Sequence, residues 1–365
     1  MNTLLNKIKI FFLLLIVLPV GVFAASGNTA EAEILKIVEQ REITRENGAK
    51  VIQQNLELGI LDGIFKGQTK IYQGISDLDV LSSKEYKTGD RVIVSYSRNE
   101  SGEYSFYVTD YVRLRSLTWL LFLFVVVIVL VGGRKALMAL LSLGLSFFII
   151  LKILVPLVFA GYNPLMVGLF ISFLILFVLI YLTEGWNRKA HISIVSIAFS
   201  LLVTAVLALI FAYFSRLSGT SQEEVIFLID AIKQPVNFSH LLLAAIVIGT
   251  LGVLDDVVVG QVETVSQIKK ANPNLKDKEV FKMAMSVGRA HLGAIINTLF
   301  LAYVGASLPL ILLFNLQQEP FLTFSQTLNH EDIATEIVRT LVGVVGLCLS
   351  APIATILASK YLKNK

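Results

Sequence analysis

The stretch SHLLLAAIVIGTLGVLDDVVVG, residues 239–260, decides the fold, because it is long and apolar enough to cross a lipid bilayer. As an α-helix it would extend about 33 Å, slightly more than the roughly 30 Å of hydrocarbon in a bilayer. Asp255 and Asp256 interrupt its apolar character, and a carboxylate at membrane depth is costly. The stretch therefore predicts a membrane helix that carries two adjacent acidic side chains.

Six further apolar runs indicate an all-α polytopic membrane bundle. The chain is 55% hydrophobic and 16% charged, unlike a soluble globular protein. The seven predicted transmembrane helices are residues 117–133, 136–160, 164–183, 191–214, 239–260, 289–314 and 337–359. Several buried helices of a soluble protein are the alternative, which the length of the runs disfavours. Segments 215–238 and 315–336 are too polar to cross and are expected to lie at the outer surface.

The positions of Lys and Arg predict how the spans are oriented. Basic residues follow every odd-numbered span: Arg134 and Lys135, Arg188 and Lys189, five lysines within 269–282, and the tail 360–365. The connections on the other side hold only Arg216 and Lys233, and the last of them is acidic. Cytoplasmic loops of membrane proteins are rich in Lys and Arg. We therefore expect a multi-pass protein of the bacterial cell membrane, with its N-terminal domain outside and its C-terminus in the cytoplasm.

The residues before the spans predict an exported domain. Residues 1–25 resemble a secretory signal peptide, with an uncleaved anchor as the alternative. Residues 30–113 are polar with short alternating runs, which predict a small extracytoplasmic β-domain, an OB-like barrel of five strands. This region contains no His and no Cys, so metal-ligand spacing is absent from it. Its charges are interspersed and give no support for nucleic acid as a partner. Residues 117–359 form the predicted membrane domain.

Glycines around the acidic pair predict a helix–helix contact. At 100° per residue, Gly249, Gly252, Asp256, Gly260 and Glu263 share one face of the fifth span, with Asp255 beside it. Glycine lets a second membrane helix approach closely. The matching face of the sixth span contains Gly288, His291, Ala294, Thr298, Ala302 and Gly305, flanked by Asn297. We therefore expect the two spans to pack together, with the aspartates turned away from lipid.

Three cations are candidate partners of the aspartates, and Glu263 and Asn297 are further candidates for the relay. An antiparallel contact would bring Asp255 or Asp256 close to Arg289 or His291. Lys152, in the second span, is a further candidate, although it can also snorkel to the membrane surface. Two alternatives stay open. The aspartates form a purely structural ion pair with Arg289, or the fifth helix ends early and leaves them in headgroup water.

The acidic pair favours a transporter coupled to protons or another cation. Two neighbouring carboxylates do not both ionise easily, so one of them can take up and release a proton. The substrate is an unknown small solute or ion, and a bundle of this size favours a homodimer. The alternative is a non-catalytic assembly or scaffold protein whose exported domain binds a partner. Intramembrane aspartyl proteolysis is disfavoured, because it needs two aspartates on facing helices, whereas adjacent residues of one helix point about 100° apart.

Enzymatic chemistry finds no support in the sequence. Walker, HExxH and GxSxG motifs are absent. The single cysteine, Cys348, lies in an apolar run, so no intrachain disulfide can form. We expect no catalytic residues, no metal ligands and no cofactor.

Two long motifs carry a resemblance to a family. GTLGVLDDVVVGQVETV, residues 249–265, and MSVGRAHLGAIINTLFLAYVGASLPLILL, residues 285–313, resemble the YibE/F family of multi-span bacterial membrane proteins. The resemblance extends over residues 117–359. It implies a multi-span membrane domain behind an exported domain, and it implies no particular activity.

A second resemblance is local. IGTLGVLDDVVVGQVE, residues 248–263, is similar to the fourth-span motif of resistance-nodulation-division permeases. In those permeases paired aspartates carry protons, so the resemblance implies a proton relay at Asp255 and Asp256, with Glu263 less securely aligned. This chain has one set of seven predicted spans and no large exported loop after the first, so drug export is not implied.

Overall fold

The computed structural model describes residues 28–44, 48, 50–75, 85–98, 102–221, 223–232, 234–316 and 323–362. The predicted signal peptide, residues 1–25, lies outside the described residues. The chain divides into two compact units, Met1–Val131 and Gly132–Lys365.

A five-stranded antiparallel sheet forms most of the described part of the first unit. Its strands are β1 (Thr29–Thr44), β2 (Lys50–Ile60), β3 (Thr69–Gln73), β4 (Arg91–Arg98) and β5 (Tyr104–Tyr111). They are ordered β3-β2-β1-β4-β5. The long β1 strand pairs with β2 over residues 32–44 and with β4 over residues 29–33, and its register with β2 shifts near residues 34–39. Such irregularities bend a strand and increase its twist.

Alternating side chains explain why this sheet curls around a core. In β4, Val92 and Val94 are buried whereas Arg91 and Ile93 are exposed. The two ends of the sheet meet, since β3 contacts β5 and Lys70 Nζ of β3 lies 5.6 Å from the ring centroid of Phe106 in β5. The predicted all-β character of this region is therefore confirmed, as a curled antiparallel sheet.

Helices make up most of the described chain from Leu114 onward. They are α1 (Leu114–Ile149), a π-helical segment (Ile150–Leu154), α2 (Val155–Phe159), α3 (Pro164–Glu184), α4 (Arg188–Phe214), α5 (Glu223–Ala231), α6 (Phe238–Ala271), α7 (Asp277–Ala306), α8 (Leu308–Asn315), α9 (Phe324–Asn329) and α10 (Glu331–Tyr361). Among the described residues, six helices are long and apolar enough to cross a membrane. The first two predicted spans, 117–133 and 136–160, fall within one of them, Leu114–Phe159, except for the last residue of the second. The other five are α3, α4, α6, α7 and α10.

Two of the long helices extend beyond the predicted spans. Helix α6 continues to Ala271, past the predicted end at residue 260, because its later turns still bury Val262 and Val265. The hypothesis that this helix ends early at the aspartates is therefore wrong. Helix α7 begins at Asp277 and not near residue 289, because Val280 and Ala284 are fully buried in its first turns. Charged residues lie between these apolar positions, so neither extension contains the unbroken apolar run that predicts a span.

Helix α6 lies at the centre of the second unit. It contacts α3, α4, α7 and α10, and more than half of its most apolar stretch is buried. Small polar residues make such close packing possible elsewhere in the unit. In α4, Ser196, Ser200 and Thr204 are fully buried, and each hydroxyl donates to the carbonyl oxygen four residues earlier. Their hydrogen-bonding groups are thereby satisfied without help from water.

A buried lysine connects the end of α6 to the end of α10. Lys269 is only 5% exposed. Its Nζ donates to the carbonyl oxygens of Ser359 and Leu362, at 2.5 and 2.8 Å, and lies 3.1 Å from Asp277 Oδ1. Cations near a helix C-terminus interact favourably with the last carbonyl groups. Lys269 therefore joins three helices at one point.

We expect Lys269→Met to lower the free energy of unfolding by about 2–3 kcal/mol, because buried carbonyl groups and Asp277 would lose a charged donor. The neighbouring Lys270 is exposed, so Lys270→Met is the matched control and should leave the thermal melt in detergent almost unchanged. Equal melting temperatures for the two variants would show that the Lys269 contacts add nothing to stability.

Candidate functional site

The two aspartates differ in their surroundings. Asp255 is partly buried and Asp256 is exposed. The Oδ1 atom of Asp255 is buried and has no hydrogen-bond partner among the described residues. Asp255 lies about 26 Å along α6 from Phe238, the first residue of the helix. For a hydrocarbon core about 30 Å thick that begins at Phe238, Asp255 is close to the far edge. A buried carboxylate oxygen without a partner is unusual in proteins.

A cavity of about 310 Å³ lies beside the acidic pair. Three helices line it: α1 contributes Lys135, Ala136 and Ala139, α3 contributes Thr183 and Glu184, and α6 contributes Asp255, Asp256, Val259 and Gly260. Lys135 Nζ lies 3.4 Å from Glu184 Oε1. The wall thus carries three carboxylates and one ammonium group. Because Lys135 is already paired with Glu184, the residues that line this cavity include no other cation to neutralise the aspartates.

The predicted partners on α7 are only partly brought to the pair. Helix α7 packs antiparallel to α6, and His291 interacts electrostatically with Asp256. Arg289 and Asn297 are exposed. Within the described part of the chain, no ion pair joins Arg289 to either aspartate. The structural ion pair considered as an alternative is therefore not observed.

The other two candidate partners lie elsewhere. Glu263 Oε2 accepts from Lys189 Nζ of α4 at 2.6 Å, so it already has a cation of its own. Lys152 is exposed on the π-helical segment. Neither residue lines the cavity beside the aspartates.

The glycine face of α6 does not pack as the sequence predicted. Gly249, Gly252 and Gly260 are exposed, and a Cβ atom added to any of them would meet nothing within 4 Å in the described structure. Gly288 of α7 is in tight contact with α6, since a Cβ atom added to it would lie 2.7 Å from Gln261 Oε1. The α6–α7 contact therefore forms through a different face of α6. Val257 on that face belongs to an apolar cluster against which Leu292 and Ile295 of α7 pack, and such side chains bury more surface than glycines can.

Sequence reasoning missed Lys135, Glu184 and Gln261. Gln261 is 4% exposed, and its Nε2 donates to the Ala284 carbonyl oxygen and to Thr355 Oγ1 at 2.9 and 2.8 Å. The sequence did contain a signal for Lys135 and Glu184. Each lies within two residues after the end of a predicted span, on the same predicted side of the membrane as the acidic pair. A comparison of charged residues at equal predicted depth would have found them.

The comparison with known protein families agrees with the resemblance that the two long motifs carry. A family model described as YibE/F-like protein matches residues 120–364, about two thirds of the chain. The match covers every residue that lines the acidic cavity. No curated protein and no solved structure matches the chain. The match and the six long apolar helices found among the described residues together support a multi-pass membrane protein. The chain belongs to the family of YibE/F-like proteins.

Proposed function

We propose that this protein is a transporter that couples the movement of a small solute or ion to protons or another cation through Asp255 and Asp256. One observation carries the proposal: the buried Oδ1 atom of Asp255 has no hydrogen-bond partner among the described residues, and Asp255 lines a cavity together with Asp256 and Glu184. An acidic residue that served only to hold helices together would be expected to have a partner. The local resemblance to resistance-nodulation-division permeases supports proton coupling at this pair and nothing further.

The charges of the cavity suit a group that binds and releases a cation. Three carboxylates share the wall with a single ammonium group, and the Lys135–Glu184 ion pair occupies two of these four charges. The repulsion between Asp255 and Asp256 is relieved when a proton or a cation binds to one of them. A volume of about 310 Å³ holds on the order of ten water molecules. Water can therefore carry protons to the pair.

The test of this proposal starts from the solute. We would profile metabolites and ions in a deletion strain that carries either an empty vector, the wild-type gene or the Asp256→Asn variant. A solute whose level changes in the deletion strain, returns with the wild type and fails to return with the variant supports transport through the pair. If the variant restores the profile as well as the wild type does, the scaffold alternative is favoured.

We further propose seven spans, two of them within Leu114–Phe159. This helix has 46 residues, which would extend about 69 Å, twice the thickness of a hydrocarbon core. Gly133 has φ 57° and ψ −136° and interrupts the helix, and Arg134 and Lys135 follow directly. A left-handed glycine next to two cations suits a short connection at the cytoplasmic surface. The open glycine face of α6 suits a homodimer of such bundles.

The proposed orientation places the β-sheet region outside the cell and the C-terminus inside. The strand order β3-β2-β1-β4-β5 with β3 against β5 suits an OB-like barrel. After replacement of Cys348 by Ser, we expect a membrane-impermeant maleimide to label Lys66→Cys and Asn329→Cys in intact cells. It should not label Asn274→Cys until the cells are permeabilised. External labelling of Asn274→Cys would overturn the span count.

A further inference from the structure

A second charged cavity lies toward the opposite ends of α7 and α10 from the aspartates. Its volume is about 640 Å³, and its wall includes Glu224, Tyr303, Ser307, Asp332, Glu336 and Arg339. Arg339 Nη1 lies 2.8 Å from Glu336 Oε1. Three carboxylates face one guanidinium group, so the wall is negative overall. Tyr303 lies about 18 Å along α7 from His291, which separates this cavity from the acidic pair.

Two polar atoms of this cavity are buried without partners. They are Asp332 Oδ1 and Arg339 Nε, neither of which has a hydrogen bond among the residues described. The other carboxylate oxygen, Asp332 Oδ2, lies 3.7 Å from His330 Nδ1. The two residues that carry these atoms, Asp332 and Arg339, both line the cavity. Burial of such groups is costly unless a ligand or water completes their hydrogen bonds.

An apolar groove of about 390 Å³ adjoins this cavity. Its wall includes Phe300, Val304, Ile311, Phe314, Ile337 and Leu341, from α7, α8 and α10. Tyr303, Ser307 and Glu336 belong to both walls. The groove and the cavity are therefore direct neighbours, the groove lined mainly by apolar side chains and the cavity by polar and charged ones. Two of these helices, α7 and α10, are long and apolar enough to cross a membrane, so lipid tails are the expected surroundings of the groove.

We propose that the groove and the cavity together bind a phospholipid with an amine-bearing zwitterionic headgroup. An acyl chain fills the apolar groove, the ammonium group donates to the Asp332 carboxylate, and the phosphate accepts from the Arg339 guanidinium group. The negative wall disfavours an anionic headgroup, because like charges would meet at short range. A soluble amine would leave the apolar groove unfilled. The site is independent of the transport proposed for Asp255 and Asp256.

The test uses purified full-length protein in detergent and counts bound lipids by native mass spectrometry. Phosphatidylethanolamine should bind about tenfold more tightly than phosphatidylglycerol of the same chain length. Asp332→Asn should remove this preference. Leu341→Trp should block the groove and abolish binding, whereas Val345→Trp should not, because Val345 lies outside the groove. The two positions are matched, with Leu341 49% and Val345 45% exposed.

Three results would overturn the lipid site. Equal binding of both lipids to the wild type and to all variants would indicate nonspecific lipid around the bundle. Competition by phosphoethanolamine without acyl chains, at the same concentration as the lipid, would indicate a site for a soluble amine. Loss of binding in Val345→Trp to the same degree as in Leu341→Trp would place the lipid elsewhere. If Asp332→Asn does not fold, Glu224→Gln, on the exposed side of the wall, tests the same charge preference.

Discussion

Replacing Asp255 by Asn is expected to leave the protein folded and inserted but without transport. The amide has nearly the shape of the carboxylate and carries no charge to desolvate, so the buried Oδ1 position becomes less costly. An amide cannot bind and release a proton at physiological pH, so a relay would stop. We expect the thermal melt in detergent to be unchanged or slightly raised. Transport of the solute found by profiling should fall to the level of the deletion strain.

Asp256→Asn should behave in the same way, and two further variants sharpen the comparison. A structural ion pair would predict a loss of about 3–5 kcal/mol in Asp256→Asn, recovered by Arg289→Gln. The exposed Arg289 makes no ion pair with Asp256 among the described residues, so we expect neither the loss nor the recovery. Glu263→Gln is the matched acidic control, because Glu263 is already paired with Lys189. Activity should survive there. Rescue of Asp256→Asn by Arg289→Gln would contradict the relay.

Replacing Gly168 by Leu is expected to lower the stability of the protein strongly. A Cβ atom at Gly168 would lie 2.6 Å from Ala244 Cβ and 3.1 Å from Ala244 Cα. The obstacle includes backbone, so α3 and α6 would have to move apart. Forcing extra atoms into a packed contact costs about 1–3 kcal/mol, and more where the backbone must shift. We expect a loss of about 3 kcal/mol, visible as a much lower melting temperature or poor folded yield.

Gly252→Leu is the matched control for this effect. Both positions are helical glycines, but a Cβ atom at Gly252 would meet nothing within 4 Å of the described structure. Leu is also a better helix former than Gly. The melting temperature should therefore stay the same or rise slightly. A loss at Gly252 as large as that at Gly168 would mean that the α6 glycine face is packed after all. A smaller particle on size exclusion, with an unchanged melt, would indicate that this face joins two subunits.

The parts of the fold that follow from local sequence patterns were predictable. Alternation along DRVIVSYS, residues 90–97, identifies a strand that has one buried face, and β4 has that face. Apolar length likewise locates α3, α4, α6, α7 and α10. Helix ends were less predictable. Lys269 shows why, since a lysine near a helix end normally indicates solvent, whereas this one is buried by contacts with α10.

The sequence by itself determined that this is a membrane protein of several spans with an antiparallel sheet before them, and that Asp255 and Asp256 are its unusual residues. Hydrophobic length and the cost of a charge in hydrocarbon are local properties, which any stretch carries without its neighbours. Only the tertiary structure decided that Lys135 and Glu184 share a cavity with the aspartates. It also decided that Gly168 and Gly288, and not Gly252, meet another helix closely. The physical reason is that a helix presents several faces. The face that is buried depends on side chains of other helices, which lie far away in the sequence.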